Sequence, residues 1–265
     1  MLTAKGKETS ARLAAPSYVV PAGVVENCRF LAPHFQDIGL YFLEVQPCLD
    51  YRAEDLPGKG DAARFHVHLP LDLPWDQGAG TVFALVSRLC DKIVHLSPWG
   101  YALHPPAGMA PDASNRNLAE FADLWRRAGR DPADILLENV EGAGARRLFP
   151  AAWDCGFSLC LDLGHMLAYA QEDILSLPGV FARTRMLHVY APFDPSRPED
   201  MALVGRGHRH RALSALDGKG RALLRDLLEN APCDAAVMLE VFSERDMAAS
   251  REALFAMTGE WGMTL

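Results

Sequence analysis

The chain has 265 residues, 49% hydrophobic and 23% charged, with a formal net charge of −8. That length and composition suit one globular domain with a large core, and the acidic balance disfavours a long nucleic acid as partner, since phosphate binding needs a basic face. No apolar run approaches the roughly 18 residues of a membrane span, and the opening stretch MLTAKGKETSARLAA lacks the apolar segment of a secretory signal. The expectation is a loose leader over residues 1–14, a barrel domain over 15–265, no membrane or nucleic-acid partner, and a cytoplasmic location. Six scattered cysteines, Cys28, Cys48, Cys90, Cys155, Cys160 and Cys233, form no CxxC pair and read as free thiols.

Short apolar runs alternate along the chain with helical stretches. Candidate strands are Ser17–Pro21, Gly39–Val45, Arg64–Leu69, Trp99–His104, Ile135–Glu138, Phe157–Asp162, Met186–Tyr190 and Ala236–Phe242. Thr81–Leu96 places Val82, Leu85, Val86, Leu89 and Ile93 on one helical face, and Asn117–Ala128 does so with Leu118, Phe121, Leu124 and Trp125. Arg221–Asn230 carries Leu223, Leu224, Leu227 and Leu228, and Pro232 bars further helix. Strict alternation of strand and helix implies a parallel sheet, and eight units in this length predict a closed (β/α)8 barrel. A doubly wound open sheet is the rival; no GxGxxG follows the first strand. The segment 191–220, rich in Pro, Gly and charge, is predicted to be a long functional loop.

Barrel strands are buried on both sides, so polar residues at their C-terminal ends stand out. His66 and His68 share one face of the third strand, and His104 ends the fourth. Glu138 and Asn139 end the fifth, Asp162 and His165 the sixth in CLDLGH, His188 lies on the seventh and Glu240 on the eighth. The long loop adds His208 and His210. Taken alone, Asp162 reads equally as the cap of a following helix, and a single histidine as a hydrogen-bonded structural residue. Together, six successive strands deliver imidazoles and carboxylates to one rim with almost no arginine. Clustered buried carboxylates need a compensating charge. Divalent cations supply it, and the donor set of imidazole and carboxylate suits zinc first, with manganese, iron or cobalt as alternatives.

This pattern resembles the xylose-isomerase-like barrel superfamily, which includes sugar isomerases and endonuclease IV-type enzymes. The resemblance spans nearly the whole chain and rests on a Glu, Asp, His, Glu series on the last four strands, matched by Glu138, Asp162, His188 and Glu240. The endonuclease IV-like branch implies further ligands, matched by His68, His104 and His165. Its Asp-x-His in the loop after strand seven is matched by His208-Arg209-His210, with His208 replacing the Asp. The resemblance implies two or three metal ions: one on His68, His104 and Glu138, a second on Glu138, Asp162, His188 and Glu240, and a third on His165, His208 and His210. Glu138 and Glu240 are the expected catalytic residues.

Within the superfamily, SYVVPAGVVENCRFLAP, DIGLYFLE, VHLPLDLP, LCLDLGHML and LEVFS are most similar to the cobamide-remodelling phosphodiesterases of the CbiR family. That likeness implies hydrolysis of the nucleotide-loop phosphodiester of a cobamide, giving cobinamide phosphate and α-ribazole. The alternative is a sugar or sugar-phosphate isomerase or epimerase, for which the extra histidines are surplus. Trp75, Trp99, Trp125 and Trp153 read mainly as packing residues, and Arg206, Arg209 and Arg211 either as substrate-binding or as solvated loop positions. Asn139 is a candidate to orient Glu138.

Overall fold

A computed structural model describes residues 11–194, 196, 200–201 and 210–264. Eight parallel strands close a barrel: β1 Arg12–Pro16, β2 Asp37–Tyr41, β3 Phe65–His68, β4 Tyr101–Leu103, β5 Ile135–Glu138, β6 Ser158–Asp162, β7 Thr184–Val189 and β10 Ala236–Leu239. β1 closes the ring by pairing with both β2 and β10. Helices wrap the outside: α1 Val24–Leu31, α2 Val45–Asp50, α3 Ala79–Ile93, α4 Pro111–Arg127, α5 Ala145–Asp154, α6 Leu163–Tyr169, α7 Val180–Arg183, α8 Gly218–Asn230 and α9 Glu244–Glu260. The chain is a single (β/α)8 barrel, as its alternation predicts. Among the described residues no helix is long and apolar enough to cross a membrane.

Strand side chains alternate in direction, which sorts the core into two parts. Outward residues such as Leu137, Leu159, Leu161 and Leu187 join the large core beneath the helices. Inward residues Leu136, Cys160, Met186 and Ala236 form a separate cluster inside the barrel, and Ala14, Tyr41 and Met238 form another. Two residues beyond Leu136, Cys160 and Met186 the same strands place Glu138, Asp162 and His188, and Glu240 follows Met238 by two, just past the end of β10. Period two thus carries the polar residues to one end of an apolar plug.

The first strand differs from expectation. It is Arg12–Pro16, overlapping the expected leader, and SYVVP lies outside it. The backbone N–H groups of Val19 and Val20 donate instead to Asn27 Oδ1 at 2.7 and 2.9 Å, and Asn27 Nδ2 returns bonds to three carbonyls of the same segment. A side-chain amide on α1 therefore takes the donors that a ladder would have used. The second strand also begins earlier than expected, at Asp37. The loop after β7 is pinned at its base: β8 Ala191–Pro192 pairs antiparallel with β9 His210–Arg211, and Arg211 bonds the buried Asp200 at 2.9 Å. The pairing with Asp200 places Arg211 in the loop's anchor. Arg206, His208 and Arg209 lie outside the described residues.

Candidate metal centre

At the C-terminal end of the barrel the strands bring seven predicted ligands into one cluster. Glu138 is the hub. Its Oε2 lies 3.5 Å from His68 Nε2, 3.6 Å from His104 Nε2 and 3.5 Å from His188 Nδ1, while Oε1 lies 3.4 Å from His165 Nδ1. Glu240 Oε2 lies 3.5 Å from His188 Nδ1, and Asp162 Oδ2 lies 3.8 Å from that same nitrogen.

Neighbouring groups hold these side chains in place. His68 Nδ1 donates to its neighbour's carbonyl, Leu69 O, at 2.9 Å, leaving Nε2 for the cluster. Trp75 Nε1 donates to His104 O at 3.2 Å, which makes that tryptophan a support of the ligand strand. His165 Nδ1 bonds Asn139 O at 2.8 Å. Asn139 does not touch the Glu138 carboxylate: its amide bonds both backbone groups of Asp162, accepting from N at 2.8 Å and donating to O at 3.1 Å. It therefore sets the end of β6. Such partners fix ring orientation and tautomer in metal sites.

In CLDLGH, Asp162 caps a helix and faces the donor cluster at once. Asp162 Oδ1 accepts from His165 N at 2.6 Å and caps α6, while Oδ2 faces the cluster. Gly164 is fixed by sterics, since a Cβ there would lie 2.1 Å from the Tyr190 ring. Tyr190 in turn stacks on His210, with centroids 3.7 Å apart and planes at 5°.

Two residues escaped the sequence reading. Tyr41 donates from its hydroxyl to Glu240 Oε1 at 2.6 Å and stacks on His68 at 4.7 Å. Tyr190 reads only as the end of an apolar strand, yet it supports His210. In neither case does the sequence hold a signal, because the partner is remote in the chain. Of the nine expected ligands, His208 lies outside the described residues. His210 reaches the site, its Nδ1 at 2.8 Å from Glu240 O and 3.6 Å from Glu240 Oε2. His165, however, groups with Glu138 and Asp162, and His210 joins none of the three-residue donor groups found among the described residues. His66 sits one layer lower, bonded to Asp37 Oδ1 at 2.8 Å, and is a structural residue of the barrel floor.

Electrostatics show what the site lacks. Glu138 Oε2, Asp162 Oδ2, Glu240 Oε2 and both His188 nitrogens are buried without a hydrogen-bond partner among the described residues. Burial, with Glu240 and Glu138 adding to it, drives the Asp162 carboxyl well above its ordinary range. Burial pushes the His165 imidazole down, but Asp162 and Glu138 outweigh it and raise the group to about 10. Against burial, the imidazole of His188 is likewise raised, with Cys160, Glu240 and Glu138 among the causes, whereas burial holds that of His210 below its ordinary value. Donor groups His68–His104–Glu138, His68–His188–Glu240 and Glu138–Asp162–His165 each converge within 4.8 Å. Their orphaned oxygens and nitrogens fit divalent cations.

No family model matches the chain, and no curated protein matches it by sequence. In three dimensions it superposes on a D-tagatose 3-epimerase-like protein with a TM-score of 0.67 and 15% identity, over 94% of this chain and 97% of that one. Endonuclease IV from Thermus thermophilus superposes at 0.64 and 16% identity, over 94% and 99%. The chain has the fold of the xylose-isomerase-like barrels. A protein of that description from Mycobacterium smegmatis, in complex with magnesium, superposes at 0.59 and 14% identity, over 94% and 96%. On this barrel the donor cluster occupies the strand C-terminal ends, where barrel enzymes build their sites. It forms the floor of a cavity of about 770 Å³.

Proposed function

We propose that this is a metal-dependent phosphodiesterase acting on cobamides. The observation that carries the reading is the surplus of ligands. Eight residues, His68, His104, Glu138, Cys160, Asp162, His165, His188 and Glu240, fall in four interlocking donor groups, three of which contain Glu138. A single ion takes about four to six donors, so the set suits two or more ions bridged by one carboxylate, zinc first by donor type. Bound there, such ions supply the Lewis acidity that polarises a phosphoryl oxygen, activates water and stabilises the departing alkoxide. The chain's own residues hold the charge and geometry: Glu138 would be the ligand common to neighbouring ions, Tyr41 orients Glu240, and Asn139 aligns Asp162 with His165. Water adds to phosphorus, the P–O bond to the ribose breaks, and the ribose oxygen takes a proton, giving cobinamide phosphate and α-ribazole. The net charge of −8 favours a small diester over a nucleic acid, and the same reading places the enzyme in the cytoplasm.

A second reading, sugar epimerisation, is favoured by Glu138 and Glu240 each presenting an oxygen 3.5 Å from His188 Nδ1. That pair of carboxylates could carry a proton across a sugar carbon. A D-psicose 3-epimerase in a structure with D-tagatose shares the fold at a TM-score of 0.60. One set of assays separates the two. Protein loaded in turn with zinc, manganese, iron(II) or cobalt is incubated with adenosylcobalamin or with D-tagatose, and products are separated by chromatography with mass detection. The proposal expects α-ribazole beside cobinamide phosphate, and at least a hundredfold loss in the Glu138→Gln protein. An intact cobamide under every metal, with metal bound, removes it; turnover of the sugar alone selects the epimerase.

A further inference from the structure

The cavity above the metal ligands is one-sided. On one wall, aromatic rings run in contact from the ligands to the rim. Tyr41 stacks on His68 at 4.7 Å, Phe242 meets Tyr41 edge-on at 5.6 Å, and Tyr18 meets Phe242 at 6.3 Å. Phe242 also lies 5.1 Å from His210. Leu43 and Leu71 extend the wall. Tyr18 and Leu71 are each 53% exposed, although large and apolar. Phe242 lies three residues beyond the end of β10 and lines the same cavity as Glu240.

We propose that Tyr18, Leu71 and Phe242 form a specificity wall that takes a flat, apolar, uncharged group of the substrate by stacking. The inference rests on the reading of this site as one acting on a phosphate ester, and adds what the ester must carry. A ring system attached near the phosphate lies along the wall while the phosphate reaches the floor. Exposed aromatic faces gain most from flat partners, because offset and edge contacts bury area at little entropic cost. Charge narrows the class further. Glu44 and Asp72 line the same mouth; Asp72 is held there by the Val45 N–H at 2.8 Å. Two carboxylates beside the wall repel a polyanion and leave room for a neutral ring. A bare sugar phosphate would leave the wall wet and unused.

Binding tests this without needing turnover. Zinc-loaded protein is titrated calorimetrically with 2-naphthyl phosphate and with ethyl phosphate, which share the phosphate and differ in the flat ring. The wild type is expected to prefer the naphthyl ester about tenfold. Tyr18→Ala and Phe242→Leu should each remove most of that preference. Tyr18 is a surface residue and leucine keeps an apolar contact with Tyr41, so both variants should melt as the wild type does. Equal affinities in the wild type, or a preference that survives both substitutions, overturns the wall alone. Failure to bind either ester with zinc in place removes the phosphate-ester reading as well.

Discussion

Asp162 uses its two oxygens differently: one caps α6 through His165 N at 2.6 Å, the other is buried with no hydrogen-bond partner among the described residues and faces the His165 and His188 rings at 3.4 and 3.8 Å. At this scale the residues of the donor cluster were legible because a carboxylate or imidazole at the end of a buried strand is costly without a reason. Tyr41 was not, since in GLYFLE a tyrosine reads as another apolar strand residue. Its role depends on Glu240, 199 positions away. We expect Tyr41→Phe to leave Glu240 Oε1 without its donor. The loss should cost about 1–3 kcal/mol in stability and weaken metal binding about tenfold or more. Competition with a chromophoric chelator reads the affinity. Unchanged affinity in a folded Tyr41→Phe protein would reduce the hydroxyl to a packing detail.

Among the elements, β5 was legible to the residue and β1 was not. Ile135–Glu138 is an apolar run ending on a charge, whereas RLAAP offers weak strand formers and SYVVP strong ones. Pairing overrode propensity: Arg12 sits opposite Ala236, and Asn27 captured the stronger-looking segment. The α6 start shows a second kind of constraint that sequence hides. Gly164 is helical, where alanine would ordinarily gain about 1 kcal/mol. Here a Cβ would lie 2.1 Å from the Tyr190 ring, and overpacking a rigid contact costs about 1–3 kcal/mol. Gly164→Ala should therefore lower the melting temperature and disturb His210, which rests on Tyr190. A melting temperature at or above wild type would show that the close approach relaxes freely.

On the scale of the whole molecule, the barrel carries polar groups at both ends of its apolar plug. The floor joins Asp37 to His66 at 2.8 Å and to Trp99 Nε1 at 2.6 Å, with Arg12 at 3.7 Å. Reading polar residues only at strand C-terminal ends misses this cluster, because Arg12 fell in the expected leader and Asp37 before the expected strand. Burial pushes the Asp37 carboxyl up; His66, Trp99 and Arg12 outweigh it and hold the group below its ordinary value. A lowered native pKa contributes stability above the unfolded value of about 3.9, lost as pH falls through the native one. Asp37→Asn should then cost about 3 kcal/mol near neutral pH, with the gap to wild type narrowing in denaturant titrations below about pH 4. A gap independent of pH would assign the loss to packing.

At the opposite end, the proposed ions would couple to the fold. The proposed ligands come from six different strands or their following turns, so the unfolded chain cannot assemble the same site, and ions that bind only the native state stabilise it by mass action. At a hundred times the dissociation constant this amounts to about 2.7 kcal/mol. For a domain of this size that corresponds to a rise of roughly 5–10 °C in melting temperature. Protein stripped by a chelator should melt lower, and stepwise zinc should restore the transition, with Glu138→Gln blunting the response because it removes the shared ligand. A metal-bound protein that melts at the stripped temperature would place the ions away from the barrel mouth. The buried carboxylate oxygens there would then need another compensating charge.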